Sequence, residues 1–320
     1  MLSDTLDLLT SRRGLLGLGA AAAAATIAPA AASAASRRAR RRLDLTDPAD
    51  HLRTFVKMSA SEEDGAETLV LYEGVTFGLT GNSSLRALYG MMGFSPVRTF
   101  KQPDGSVRFV ANEAAVFTDL TSGKVLDTWA NPYLDGEVVK VWHLRNGPVN
   151  YAIHPNKPIS GGGWSLLRPS TYGTNGFFMP VSIQGENLVV ALDAQANRKN
   201  PLDPAVWRRE SSGPHLQYSE HNTWRVPLAA IEDPRQPSPQ PFASWHSHKE
   251  WRPWMLMGQR PGGIYNHLVA RKIASRSEIP TVLRAYIERE LPAFMSAPKE
   301  WTGGYRTDWD YFKEQRTPAA

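Results

Sequence analysis

The sequence predicts a mainly β protein: an antiparallel meander closing into a barrel-like or sandwich body, with a C-terminal helix. Three observations lead there. Turn signals recur at short spacing, at Pro103-Asp104-Gly105, Thr121-Ser122-Gly123 and Leu134-Asp135-Gly136-Glu137. The segments between them alternate apolar and polar residues with the period of a strand. Ten tryptophans and 24 prolines in 320 residues suit short strands joined by rigid loops.

Taken in order, Thr68 to Thr80 carries Leu69, Leu71, Val75 and Phe77 in near alternation and ends in the turn Thr80-Gly81-Asn82. Arg98 to Lys101 and Ser106 to Val110 flank the first turn as a hairpin, and Glu113 to Leu120 and Lys124 to Trp129 flank the second. The third turn opens a strand over Val138 to Arg145. Consecutive hairpins of this spacing make a sandwich or barrel wall. Beyond Pro148, prolines and glycines from Pro155 to Gly176 predict a loop-rich excursion before strands at Phe177 to Ile183 and Asn187 to Leu192. Another strand fits Leu216 to Val226, where Pro227 ends its pairing capacity. Residues 233–241 read as an extended proline-rich connector. The helix is Ser277 to Leu291, with Glu278 in its first turn, an apolar stripe of Val282, Leu283, Tyr286 and Ile287, and Pro292 as its stop.

The N-terminal stretch carries different information. Ser11-Arg12-Arg13-Gly14-Leu15-Leu16 precedes an uncharged Gly/Leu/Ala segment running to Ile27, and Ala32-Ser33-Ala34 offers a small-residue cleavage site. This resembles a twin-arginine export signal. The expected organisation is a signal peptide over 1–35, a basic linker over 36–44 and one mainly β domain over 45–320, with the twin-arginine export machinery as a partner and the periplasm or exterior as destination. The apolar segment is shorter than the roughly 20 residues that span a bilayer, so no transmembrane anchor is expected.

Charge and cysteine usage exclude further classes. The formal net charge of +5 resides in Arg37, Arg38, Arg40, Arg41 and Arg42, because 29 basic and 29 acidic residues balance from Leu43 onward. A basic leader on a neutral body gives no reason to expect nucleic-acid binding. The absence of cysteine removes disulfides, thiolate metal sites and cysteine nucleophiles. No G-x-G-x-x-G, G-x-x-x-x-G-K or G-x-S-x-G motif is present, and Gly161-Gly162-Gly163-Trp164-Ser165 lacks the strand-elbow-helix setting of a serine nucleophile.

Three clusters carry candidate chemistry. In Trp245-His246-Ser247-His248-Lys249-Glu250-Trp251, a strand would put His246, His248 and Glu250 on one face. Two imidazoles and a carboxylate can form a facial metal triad, or stand in a surface loop. Trp251, Trp254, Met257, Arg260 and Tyr265, together with Trp142, combine aromatic and thioether surface with polar anchors. Such a mixture lines small-molecule pockets, and equally builds cores. His143, Glu220 and His267 are the candidates for proton transfer: His143 shares a predicted strand face with Val139 and Val141, and Glu220 shares one with Leu216 and Tyr218. A satisfied core histidine is the structural alternative for His143, and Glu220 carries the same ambiguity.

Three strings also carry a family resemblance. They are Leu45-Thr46-Asp47-Pro48-Ala49-Asp50-His51-Leu52-Arg53-Thr54-Phe55-Val56-Lys57, then Thr118-Asp119-Leu120-Thr121-Ser122-Gly123-Lys124-Val125-Leu126-Asp127-Thr128-Trp129-Ala130-Asn131-Pro132, and Trp254-Met255-Leu256-Met257-Gly258. Together they resemble the bacterial family known as domain of unknown function 1838, over about residues 43 to 312. The resemblance implies one coherent domain and brings no catalytic role or cofactor with it. Two readings follow from the residues: an aromatic-lined pocket that binds or transforms an apolar or aromatic small molecule, and a metal-dependent enzyme using His246, His248 and Glu250. A non-catalytic envelope protein is the third.

Overall fold

A computed structural model of the chain describes residues 41–81, 83–160 and 176–319. The twin-arginine stretch, the linker arginines Arg37, Arg38 and Arg40, and the run Gly161 to Ser165 lie outside the described residues.

Ten strands form one antiparallel sheet, curled into a half-barrel. Its centre is the pair β1 (Glu67–Leu79) and β12 (Gly263–Ile273), and two arms grow outward from it. One arm continues through β2 (Arg86–Lys101), β3 (Val107–Thr118), β6 (Leu144–His154) and β7 (Lys157–Ser160). The other runs through β11 (Phe242–Lys249), β10 (His215–Pro227), β9 (Asn187–Lys199) and β8 (Val181–Gln184). A separate two-stranded sheet pairs β4 (Thr128–Asn131) with β5 (Glu137–Lys140).

The predicted turns are in place. Gly105 takes a positive φ between β2 and β3, where the Asp104 carboxylate accepts from the Ser106 N–H at 3.0 Å. Asp135 and Gly136 turn the chain between β4 and β5, both with positive φ. The curl has local causes. Bulges interrupt the register at Thr76/Phe77 and at Ala111/Glu113, bending both strands. Gly93 lets the Tyr72 ring lie where a Cβ would stand, so that large side chain fits on the concave face.

Several elements differ from the sequence expectation: Lys124 to Trp129 makes only an isolated bridge to β3 before β4 begins, and Phe177 to Ile183 is strand only from Val181. Val138 to Arg145 is two strands, because the chain leaves β5 at Lys140 and joins the main sheet only at Leu144. The excursion after Pro148 begins later than expected, since β6 runs on to His154 and Pro148 itself sits within it. Segments 242–249 and 263–273 are full strands: every proline of the connector precedes Phe242, leaving β11 free to pair on both sides. The helix α3 starts at Thr281 rather than Ser277, because Ser275 and Glu278 close a capped 3-10 turn and Pro280 separates it from the helix.

The helices hold the curl in shape. The helix α1 (Pro48–Ser59) starts on an Asp47 cap with proline at its first position, and its fully buried Phe55 bridges the two arms, packing on Phe109 of β3 and Trp224 of β10. A short turn of helix, α2 (Leu228–Glu232), follows β10. The helix α3 (Thr281–Glu290) covers the convex face of β1 to β3 with Leu283 and Ile287 against Leu69, Leu71, Phe94 and Val116. The C-terminal α4 (Asp308–Gln315) is opened by a Thr307/Asp310 capping box. Among the described residues no helix is long and apolar enough to cross a membrane.

Candidate functional site

Strand alternation decides what faces the inside of the curl. On β10 the even-numbered residues Tyr218, Glu220, Asn222 and Trp224 point inward, opposite Lys249, Ser247, Trp245 and Ala243 of β11. On β1, Tyr72 lies opposite Ala270 of β12. Between the arms these strands line a half-open cavity of about 290 Å³. That is close to the lower bound of about 300 Å³ for small-molecule sites.

The cavity has two ends of different chemistry. Phe55, Met58, Val97, Ala111, Val149 and Trp224 make the apolar end beneath α1. At the other, Glu113 accepts from the Tyr72 hydroxyl at 2.8 Å and from Asn146 Nδ2 at 2.6 Å. Asn146 Oδ1 in turn accepts from the Asp308 N–H at 2.9 Å, which ties the polar end to the start of α4. The Asp308 carboxylate is shared by Trp142 Nε1 at 2.8 Å and Arg252 Nη1 at 3.1 Å, with both Asp308 and Arg252 only 2 % exposed. Across the cavity Lys249 pairs with Glu220 at 2.9 Å, and its ammonium lies 5.2 Å and 5.1 Å from the Tyr218 and Trp245 ring centroids. Arg198 of β9 reaches over to Thr307 Oγ1 at 3.1 Å and closes the polar end.

Burial tunes these groups. Tyr72 is pushed well above the ordinary phenol range, first by burial and then by the Glu113 carboxylate it serves. Burial also raises Tyr218, Tyr305 and the Glu250 carboxyl. Asp308 is raised by burial, with the Arg252 guanidinium opposing.

Of the residues singled out in sequence, Glu220 and Glu250 line this cavity. The other predicted site residues lie elsewhere. His143 is 7 % exposed between β5 and β6, where Nδ1 accepts from the Phe117 N–H at 3.2 Å and burial lowers its pKa to about 4. Trp142, Trp251, Trp254 and Met257 are buried in the core packed around Tyr89 and Phe117. Trp251 Nε1 donates to the Arg260 carbonyl at 3.1 Å, and the Arg260 side chain turns back to the Met257 carbonyl at 3.2 Å. Tyr265 and His267 are on the outer face of β12, where His267 stacks on His246 with centroids 4.3 Å apart. His246 and His248 do share one face of β11, as a strand requires, but Glu250 lies past the strand end and accepts from the Gln217 N–H. Among the described residues no three His, Asp or Glu side chains are arranged to hold a metal ion.

The residues that sequence reading passed over are Tyr72, Glu113, Asn146, Arg198, Trp245, Lys249 and Tyr305. Tyr218, Asn222 and Trp224 extend the same inward alternation that marks Leu216 and Glu220, and were accessible by that pattern. Glu113 and Asn146 stand on strands 33 residues apart and meet only through the β3–β6 register.

The fold and cavity together define a β protein whose single curled sheet lines a small interior site with one apolar and one polar end. Residues 65–316 match the family described as protein of unknown function (DUF1838), and the chain belongs to that family. No curated protein matches the chain.

Proposed function

We propose that this is an exported protein whose interior cavity binds an apolar or aromatic small molecule, with its polar end available to act on the ligand. The cavity carries the reading: it is of ligand size, walled by Phe55, Val97, Val149 and Trp224, and finished at one end by hydrogen-bonding groups. A few convergent polar groups in an otherwise apolar enclosure orient a ligand and supply its specificity. Export rests on the Ser11-Arg12-Arg13-Gly14-Leu15-Leu16 motif and its apolar sequel.

The test is titration with N-phenyl-1-naphthylamine, an uncharged dye that brightens on leaving water. Saturable one-to-one enhancement is expected for the wild type, and its loss in Ala270→Trp, which adds an indole to the cavity wall beside Tyr72. Unsaturable enhancement in the wild type, or unchanged binding in the filled variant, rejects the reading.

A further inference from the structure

The polar end of the cavity holds two phenols whose hydroxyls have no hydrogen-bond partner among the described residues, Tyr218 on β10 and Tyr305 in the segment before α4. Asn222 Nδ2 and Trp245 Nε1 on the same wall are also donors without a partner, while the charged groups nearby are engaged. Lys249 has Glu220, Arg252 has Asp308, Arg198 has Thr307, and the Tyr72 hydroxyl is committed to Glu113. A buried donor without a partner loses the hydrogen bonds that water would supply, so Asn222 Nδ2 and Trp245 Nε1, with two free hydroxyls lining the same space, call for an acceptor from outside the protein. Lys249 and Arg252 are neutralised by carboxylates, and the unpartnered hydroxyls, amide and indole are neutral donors, which suits an uncharged acceptor better than an anion.

The base is also present. Glu220 is neutralised by the Lys249 ammonium, whereas Glu113 is held by two neutral donors and, among the described residues, by no cation. A carboxylate held in this way keeps a lone pair on each oxygen. Both phenols and Glu113 line the one cavity. The raised pKa of the phenols keeps both protonated, as donors, at neutral pH.

We infer that this end of the cavity catalyses proton transfer next to a carbonyl group, with Tyr218 and Tyr305 donating to the carbonyl oxygen and Glu113 taking and returning the α-proton. The inference rests on the cavity being the ligand site. In the first step the α C–H bond breaks, the proton goes to a Glu113 carboxylate oxygen, and the electron pair forms the C=C bond of an enolate. The former carbonyl π pair then resides on the oxygen facing the two phenols. Return of the proton, to the same carbon or to a conjugated one, restores the carboxylate. No oxidant, reductant or cofactor is consumed. The substrate class is an uncharged, largely apolar ketone or related carbonyl compound. Preorganised donors around a developing oxyanion in an apolar enclosure supply the stabilisation that water would otherwise have to reorganise to give.

The probe is 2-tetralone in D₂O, with exchange of its α-protons followed by ¹H NMR and its binding measured by displacement of N-phenyl-1-naphthylamine. Tetralin, which lacks the carbonyl, is the comparison ligand. Exchange above the buffer rate is expected from the wild type, reduced about 10²-fold or more in Glu113→Gln with dye binding retained, and about tenfold or more in Tyr305→Phe. If Glu113→Gln does not keep its thermal midpoint, Tyr305→Phe decides, since it removes one oxygen and leaves the ring. Displacement of the dye by 2-tetralone with exchange at the buffer rate overturns the inference and leaves the cavity reading standing. Equal exchange by wild type and both variants also overturns it, as does tighter binding of tetralin than of 2-tetralone. Failure of the dye itself to bind removes the cavity reading, and the inference with it.

Discussion

Asp308 is the residue on which the polar end depends for its shape, and its removal is predictable in some detail. Its carboxylate is 2 % exposed, neutralises an Arg252 that is also 2 % exposed, and accepts from Trp142 Nε1 and the Arg145 N–H. Asp308→Ala leaves a guanidinium charged in the core and strips two further donors of their acceptor. Breaking one side of a buried ion pair costs about 3–5 kcal/mol. The expected measurement is a fall of that size in urea unfolding followed by tryptophan fluorescence, with the m-value unchanged. The double variant Arg252→Met/Asp308→Leu removes both charges, and it should recover most of the loss, because a desolvated pair stabilises little relative to apolar residues of similar size. Asp308→Asn keeps an acceptor for Trp142 and should fall between wild type and Asp308→Ala. A cost below about 1 kcal/mol for Asp308→Ala, or a double variant less stable than either single one, refutes the claim that this pair is buried and mutually dependent.

Two further outcomes follow from the same geometry. His143 has its pKa lowered to about 4 by burial against an ordinary value of 6.5, so the unfolded chain binds the proton first as pH falls. Stability therefore declines from pH 6.5 down to about 4, and His143 contributes no slope outside that window. The decline amounts to about 3 kcal/mol, and His143→Gln, which can still accept from the Phe117 N–H, should remove it from a pH series of denaturant midpoints; an unaltered slope contradicts the assignment. Gly93→Ala places a methyl group in the space of the Tyr72 ring, should cost about 1–3 kcal/mol and should separate Tyr72 from Glu113. Dye binding as tight as in the wild type, with no change in thermal midpoint, would show that Tyr72 does not depend on that space.

What the sequence reveals about this chain divides along a physical line. Strands β1 and β10 and the three turns are written in local signals, a two-residue period and glycines at positive φ, and they stand where expected. The strand β12 was hidden because its inward face carries Asn266 and Lys272, both buried, among Ile264, Leu268 and Ala270. Lys272 is accommodated by the Lys57 and Ala60 carbonyls and the Ser238 hydroxyl, all more than 30 residues away, which no local period can announce. The helix α1 did carry a local mark, Asp47-Pro48, at its cap and first turn. The aromatic density of residues 251–257 is legible, but whether indoles enclose a space or fill one depends on Tyr89, Phe117 and Trp129 from other strands, and here they fill it. The cavity was legible only as half a wall, through Glu220 and Glu250. Its other half, Tyr72, Glu113 and Asn146, is assembled by the bulge at Ala111/Glu113 and the register of three strands.

The central claim is that the inside of the curled sheet is the ligand site, and a crystal structure of the protein with N-phenyl-1-naphthylamine bound tests it most directly. The account predicts the dye's rings between Trp245, Tyr72 and Trp224, with its amine toward the Glu113 end. Dye found only on the outer face, beside His246, His267 and Tyr265, with the interior of the sheet closed by side chains, would contradict it.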